Sequence, residues 1–300
     1  MLLLCTVKAM VLLRKIVFIT ALIALAGGCA HTRFDPVAAD GFQLIDGPQG
    51  RYYAYVPKEA SERVRRGEQL PVIVYLHGGG ERGDDIVVPT QVGLGPLVQS
   101  SHGAFPFVVL FPQCPNVRYW PEPALLARLT KLIDDALPRV GGDKDRVYVT
   151  GNSMGGYGTW ALAAAEPRRF AAIVPICGGV KPPRGFPVAE NGRVSGPGDP
   201  YVDVAKAIGA LPVWAFHGAD DWLVAVGETR SIIAALRANG NDAKYTEYAH
   251  VGHRSWDRAY ADPDLFGWLA RQRRMAPVDP SRINTAVSEP MKPAPAPADK

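Results

Sequence analysis

The sequence predicts an α/β protein: a mostly parallel central sheet flanked by helices on both faces. Three observations carry this. Continuous apolar, β-branched runs recur along the body, stretches with helical apolar spacing alternate with them, and glycine clusters follow directly on several of the runs. Strands buried on both faces need such runs without polar alternation. The repeated βαβα order feeds parallel pairing through right-handed crossovers. No internal repeat is present.

The elements follow in order. Residues 51–56 alternate in polarity and read as an outer antiparallel strand. Residues 72–76, 107–111, 147–150, 171–174, 211–216 and 244–248 are the candidate central strands. Among the helices, residues 124–137 place Leu125, Leu129, Leu132, Ile133 and Ala136 on one face. Residues 154–165 are nearly all small or apolar, as a helix buried at the centre requires. Residues 228–238 and 255–271 are amphipathic. The Pro/Gly-rich stretch 178–210 interrupts the rhythm and reads as a functional loop or lid, or else as a tolerated surface excursion.

Both ends of the 300-residue chain fall outside this pattern. Lys8, Arg14 and Lys15 precede an uncharged apolar run at 16–26. That run is too short to span a bilayer, which takes about 20 residues, and it suits an export signal. Met10 serves as a start as well as Met1, because the residues after it complete such a signal. The organisation is then a signal at 1–28, a linker and first strand at 29–50, one α/β domain at 51–272, and a tail at 273–300. The tail is rich in Pro, Ala and Ser, lacks apolar periodicity, and is expected to be disordered.

The formal charge of +4 comes largely from the signal; without it 30 basic residues face 29 acidic ones. No Lys/Arg run stands out in the body, which argues against nucleic acid as a partner. Of four cysteines, Cys114 and Cys177 fall in the domain, where they form either one disulfide or two buried thiols. No CxxC or His/Cys cluster points to a metal, and none is expected.

The chemistry centres on Gly151-Asn152-Ser153-Met154-Gly155, between an apolar strand and a small-residue helix. Gly-x-Ser-x-Gly in that setting projects a serine from a tight, strained turn, and the glycines let strand and helix approach closely. Neither Lys nor Ser/Thr follows as a phosphate loop requires, and the later glycines sit inside the helix, not at a dinucleotide turn. A second cluster, His77-Gly78-Gly79-Gly80-Glu81-Arg82-Gly83, directly follows a strand. Its amides suit an oxyanion hole: Met154 is one candidate donor, and Gly79 or Gly80 is the other. His77 reads as a structural residue of that loop.

Two further segments complete the pattern. His217-Gly218-Ala219-Asp220-Asp221 follows a late strand, and the spacing His-Gly-x-x-Asp selects Asp221; Asp220 is expected to cap the turn. Of the downstream histidines, His253 lies in a loop before the last helix and is favoured over His250, which is expected too close to the sheet to reach the serine. The order Ser153, Asp221, His253 is one of the known triad orders. Trp120, Trp222 and Trp256 lie near these loops and are candidate walls of a substrate pocket, with core packing the alternative for each. Arg82 and Arg118 are candidate partners of an acidic substrate group, or solvated surface residues.

These motifs, with Pro112-Gln113-Cys114-Pro115, make residues 51–269 resemble the α/β-hydrolase superfamily, in its bacterial esterase/phospholipase-like and polyhydroxybutyrate-depolymerase-like branch. The catalytic domains of prolyl oligopeptidases are similar too. The resemblance implies an α/β-hydrolase fold and a cofactor-free serine esterase acting on small-molecule or polymeric esters through an acyl-enzyme. Dienelactone hydrolases share the fold with Cys as nucleophile, where this chain has Ser153. The rival expectations are a serine peptidase and a non-catalytic binding lipoprotein. Finally, Leu25-Ala26-Gly27-Gly28-Cys29 resembles a lipoprotein signal. It implies lipidation of Cys29, a membrane anchor and a cell-envelope location; an ordinary signal and secretion are the alternative.

Overall fold

A computed structural model describes residues 41–183 and 198–274. The expectations for the signal, Cys29, the middle of the 178–210 stretch and most of the tail lie outside the described residues. Among those described, no helix is long and apolar enough to cross a membrane.

One eight-stranded sheet organises the fold. Its strands are β1 (Phe42–Gly47), β2 (Gly50–Tyr55), β3 (Leu70–Leu76), β4 (Val108–Phe111), β5 (Gly142–Asn152), β6 (Ala172–Ile176), β7 (Trp214–Gly218) and β8 (Lys244–Tyr248). They lie in the order β1-β2-β4-β3-β5-β6-β7-β8. The first hairpin and the β2–β4 pair are antiparallel, and the remaining pairs are parallel. The antiparallel strand expected at 51–56 is thus second from the edge, because β1 covers it.

The helices are α1 (Ala60–Arg65), α2 (Leu94–Ser100), α3 (Pro123–Arg139), α4 (Met154–Ala165), α5 (Pro200–Ile208), α6 (Gly227–Ala238), α7 (Trp256–Tyr260) and α8 (Leu265–Arg271). Strand alternation divides the core between the two faces of the sheet. Ile73, Tyr75 and Tyr148 join Val98 of α2, Tyr260 of α7, and Leu265 and Leu269 of α8 on one face. Leu76 points the other way, towards Gly158 of α4. All residues of β3, β4, β6 and β7 are buried, so the apolar runs are the centre of the sheet.

Three expectations change. The helix expected at 255–271 is two helices, because Pro263 has no N–H to continue the ladder. Asp262 instead accepts the Asp264 amide and turns the chain. The 178–210 stretch is not wholly irregular: Asp199 caps α5 by accepting the Tyr201 N–H, and Pro200 occupies its first turn. Val204, Ala205 and Ile208 are buried, and α5 packs on α4 and α6. Cys114 and Cys177 are both buried free thiols, which decides the alternative left open.

Candidate active site

The turn from β5 into α4 carries Ser153 with φ 55° and ψ −118°, a conformation that L-residues adopt only under strain. Close backbone contact imposes it. A Cβ on Gly151 would lie 2.5 Å from the Leu76 carbonyl oxygen, and one on Gly155 would overlap that same oxygen. The Ser153 amide donates to the Ile176 carbonyl, tying the turn to β6. Beneath it, Asn152 is buried and accepts from the Tyr75 hydroxyl.

The structure brings Ser153, His253 and Asp221 together. His253, in the loop between β8 and α7, has Nε2 2.9 Å from Ser153 Oγ and Nδ1 2.8 Å from Asp221 Oδ2. Nδ1 faces a carboxylate and so carries the proton; Nε2 is left to accept from the serine hydroxyl. Trp256 stands edge-on to the imidazole at 5.5 Å. His250, in contrast, is 96% exposed and 3.8 Å from Asp220. It points to solvent, which is the opposite of the crowding expected from the sequence.

Asp221 follows β7. Its Oδ1 accepts the amides of Leu223 and Val224, and its Oδ2 accepts from His253 and from His217. Asp221, not Asp220, therefore caps this turn. Burial on its own would raise the carboxyl pKa, but hydrogen bonds from His217, His253 and Val224 outweigh it and hold the group well below the ordinary range. His217 belongs to the strand-end motif, and its bond to Asp221 was not expected from the sequence. Its signal was the four-residue spacing to Asp221.

The glycine-rich loop after β3 forms the facing wall. Gly79 and Gly80 open a short 3-10 turn (Gly79–Glu81) and share one cleft with Met154 and Ser153. The Gly78 carbonyl accepts from His77 Nδ1 at 2.7 Å, and the Gly79 carbonyl accepts from Arg82 Nε at 3.0 Å. In a planar trans peptide the N–H points opposite to the carbonyl. The amides of Gly79 and Gly80 thus face away from those partners, and first-turn amides have no acceptor within the helix.

His77 itself is buried and accepts the Cys114 amide on Nε2. Burial depresses its pKa to about 4, which keeps it neutral and structural. Arg82 also reaches the Arg118 carbonyl, so one of the two candidate acid-binding arginines is engaged with backbone.

Trp120 does not line the cleft. It is 1% exposed, stacks edge-on to His77 and donates Nε1–H to the His77 carbonyl, so it buttresses the loop from behind. Its neighbour Tyr119 lines the cleft instead. Trp222 and Trp256 do line it, differently: Trp222 is 84% exposed at the lip, and Trp256 is largely buried. The cleft has a volume of about 980 Å³, and Tyr157 and Glu228 complete its wall.

A profile of the dienelactone hydrolase family matches residues 119–261, which span Ser153, Asp221 and His253. A thermostable esterase of known structure shares 32% identity and a TM-score of 0.62, over 79% of this chain and 64% of its own. With the sheet order above, this decides the fold. The chain has the α/β-hydrolase fold. A Salmonella typhimurium protein designated a carboxymethylenebutenolidase is 31% identical over 44% of this chain and 45% of its own length. The esterase cest-33 of Caenorhabditis elegans is 28% identical over 47% of this chain and 29% of its own. The chain therefore spans less than half the length of these curated relatives. The fluorophosphonate-binding serine hydrolase F of Staphylococcus aureus, at 16% identity and a TM-score of 0.58, shares the fold.

Proposed function

We propose that this protein is a member of the α/β-hydrolase superfamily, a serine esterase that cleaves carboxylic esters through an acyl-enzyme on Ser153. The observation that carries the reading is the unbroken chain from Ser153 Oγ through His253 to Asp221, 2.9 and 2.8 Å long, on a strained turn at the floor of an open cleft. The esterase and dienelactone hydrolase likenesses support the same reaction class.

The residues divide the work as follows. Ser153 Oγ attacks the ester carbonyl carbon while its proton passes to His253 Nε2. The resulting imidazolium is stabilised by the ionised Asp221. The amides of Met154 and of Gly79 or Gly80 receive the oxyanion, each such donor contributing about 2.7–4 kcal/mol to the barrier difference. Collapse breaks the ester C–O bond, and His253 returns the proton to the departing alkoxide. A water then attacks the acyl-enzyme, giving one proton to His253; collapse breaks the acyl–Oγ bond, His253 returns that proton to Ser153 Oγ, and the acid leaves. Trp222 at the lip, with Tyr157 and Trp256 in the wall, contacts the substrate.

The test is a p-nitrophenyl ester panel from acetate to long chains, with wild type and Ser153→Ala. Expected is wild-type turnover reduced by about 10⁴-fold or more in the variant, both proteins being equally folded. Turnover in Ser153→Ala equal to wild type, or turnover of peptides alone, overturns the reading.

We also propose, from the sequence resemblance alone, that Cys29 is lipidated and holds the enzyme at the cell envelope. Cys29→Ala is then expected to move the protein from the detergent phase to the aqueous phase on Triton X-114 partitioning. Equal partitioning of both forms refutes it.

A further inference from the structure

Asp221 serves two imidazoles, and the mechanism uses only one. His217, at the end of β7, is fully buried. Its Nε2 lies 3.1 Å from Asp221 Oδ2, the same oxygen that His253 engages, and 3.0 Å from the Val224 carbonyl oxygen. Both neighbours of Nε2 are acceptors, so this nitrogen carries a proton and shares it between them. Nδ1 lies 2.7 Å from the Thr229 hydroxyl of α6, which also reaches the Gly178 carbonyl. The ring is thus held at both nitrogens, with no access to solvent.

We propose that His217 is a positioning residue: it holds Asp221 Oδ2 together with His253, fixes the carboxylate plane and disperses part of its charge. The proposal rests on the esterase reading above. It follows from counting donors. Two amides fix Oδ1, but without His217 the oxygen facing the general base would have His253 as its sole donor among the described residues. A carboxylate held through one oxygen can still tilt, and catalysis is sensitive to such misalignment. A less shielded Oδ2 would also stabilise the protonated form of His253 more strongly.

The other titratable groups facing this chain do not substitute for His217. The Cys177 thiol lies within 4.8 Å of both Asp221 and His253, and burial pushes its pKa up, which keeps it neutral. Glu247, opposite His217 across β7 and β8, is held by Arg230 and Tyr245. The Ser153 hydroxyl faces His253 on its far nitrogen.

The experiment compares His217→Leu, His217→Gln and Thr229→Val with wild type, in the full chain, on the p-nitrophenyl ester that wild type hydrolyses best. It records kcat, KM, the pH profile of kcat/KM and thermal unfolding. Leucine removes the donor, whereas glutamine keeps an N–H near the position of Nε2. For His217→Leu we expect kcat to fall roughly ten- to a hundredfold, the range of a lost hydrogen bond to a charged group. KM stays unchanged, and the acid limb of the profile moves to higher pH. His217→Gln recovers most of the rate and the wild-type limb, a rescue that mere cavity filling would not produce.

A folded His217→Leu protein with wild-type kcat and an unmoved limb overturns the proposal. Should that variant not fold, Thr229→Val decides. Loosening the ring is expected to shift the limb in the same direction with a smaller loss of kcat, and a wild-type profile overturns the proposal. Wild type inactive on every ester removes the esterase reading and this inference with it. Active wild type with an unaffected His217→Leu protein removes the inference alone.

Discussion

Two glycine-rich loops face each other across the cleft, and glycine serves a different purpose in each. At the turn after β5 the backbone itself forbids a side chain: Gly151, Gly155 and Gly156 lie against the carbonyls of Leu76 and Ile176. In the loop after β3, a Cβ on Gly79 or Gly80 would meet nothing within 4 Å. Neither of these two glycines has a positive φ. One wall of the site is therefore held by interlocked backbone, and the other by side chains: His77 and Arg82 on the carbonyls, with Trp120 behind. The lesson is that a glycine run does not reveal by itself whether it meets a packing demand or leaves space for a ligand.

The sharpest break between the two walls is Gly155→Ala. The added methyl has no space, because it would overlap the Leu76 carbonyl oxygen at the end of β3. A destabilisation above about 4 kcal/mol is expected, in the range reserved for severe core disruption. Urea unfolding, or failure to recover soluble protein, measures it. A folded Gly155→Ala protein within 1 kcal/mol of wild type, as an order of magnitude, would show that the turn relaxes and that the contrast is false.

What the sequence made legible follows the same division. The turn around Ser153 could be read because its demands are local: strand, glycine, serine, glycine and helix are contiguous, and each residue type has one reason to be there. The buried strands were legible from their unbroken apolar runs. Trp120 was not, because proximity in sequence to a catalytic loop does not fix which way a ring points. It points behind the loop, while Tyr119 faces the cleft. His217 lacked a role for a related reason, since its three contacts come from Asp221, Val224 and Thr229 and need the turn after β7 to be folded first. Helix α5 was not legible, because the Pro/Gly composition of its surroundings reads as loop and the capping role of Asp199 shows only in the folded chain. Whether Cys114 and Cys177 pair is a question of distance, which no spacing in the chain answers.

A second contrast, between the glycine-loop wall and the carboxylate behind the general base, concerns acid. His77 is buried neutral, with its pKa lowered from 6.5 to about 4. The unfolded chain therefore binds a proton that the folded chain refuses, and stability falls as pH drops from about 6.5 to about 4. The shift corresponds to roughly 3 kcal/mol. Asp221 behaves differently: its depressed pKa contributes stability above the ordinary carboxylate range, and that is lost only at much lower pH. The glycine-loop wall is thus the acid-sensitive one. His77→Gln keeps an acceptor for the Cys114 amide and abolishes the proton uptake. Its unfolding free energy is expected to change less than that of wild type between pH 7 and pH 4, as read from urea titrations. Equal slopes would place the acid sensitivity elsewhere.

The smallest expected effect is the most discriminating. Gly79→Ala adds a methyl to open space at a residue with an ordinary φ, so the thermal midpoint is expected to stay within about 2 °C of wild type, corresponding to under 0.5 kcal/mol. The alanine keeps its N–H, and the Gly78 carbonyl in the same peptide stays bound to His77. An oxyanion donor at this position is therefore preserved, and kcat on a small acetate ester should hold within about twofold, far from the loss that follows removal of a donor. The methyl adds bulk at a residue that lines the cleft shared with Ser153. A loss confined to bulky esters, appearing in KM as well as kcat, would identify this glycine as a clearance for substrate. A fall in stability like that of Gly155→Ala would instead mean that the two loops obey one packing rule after all.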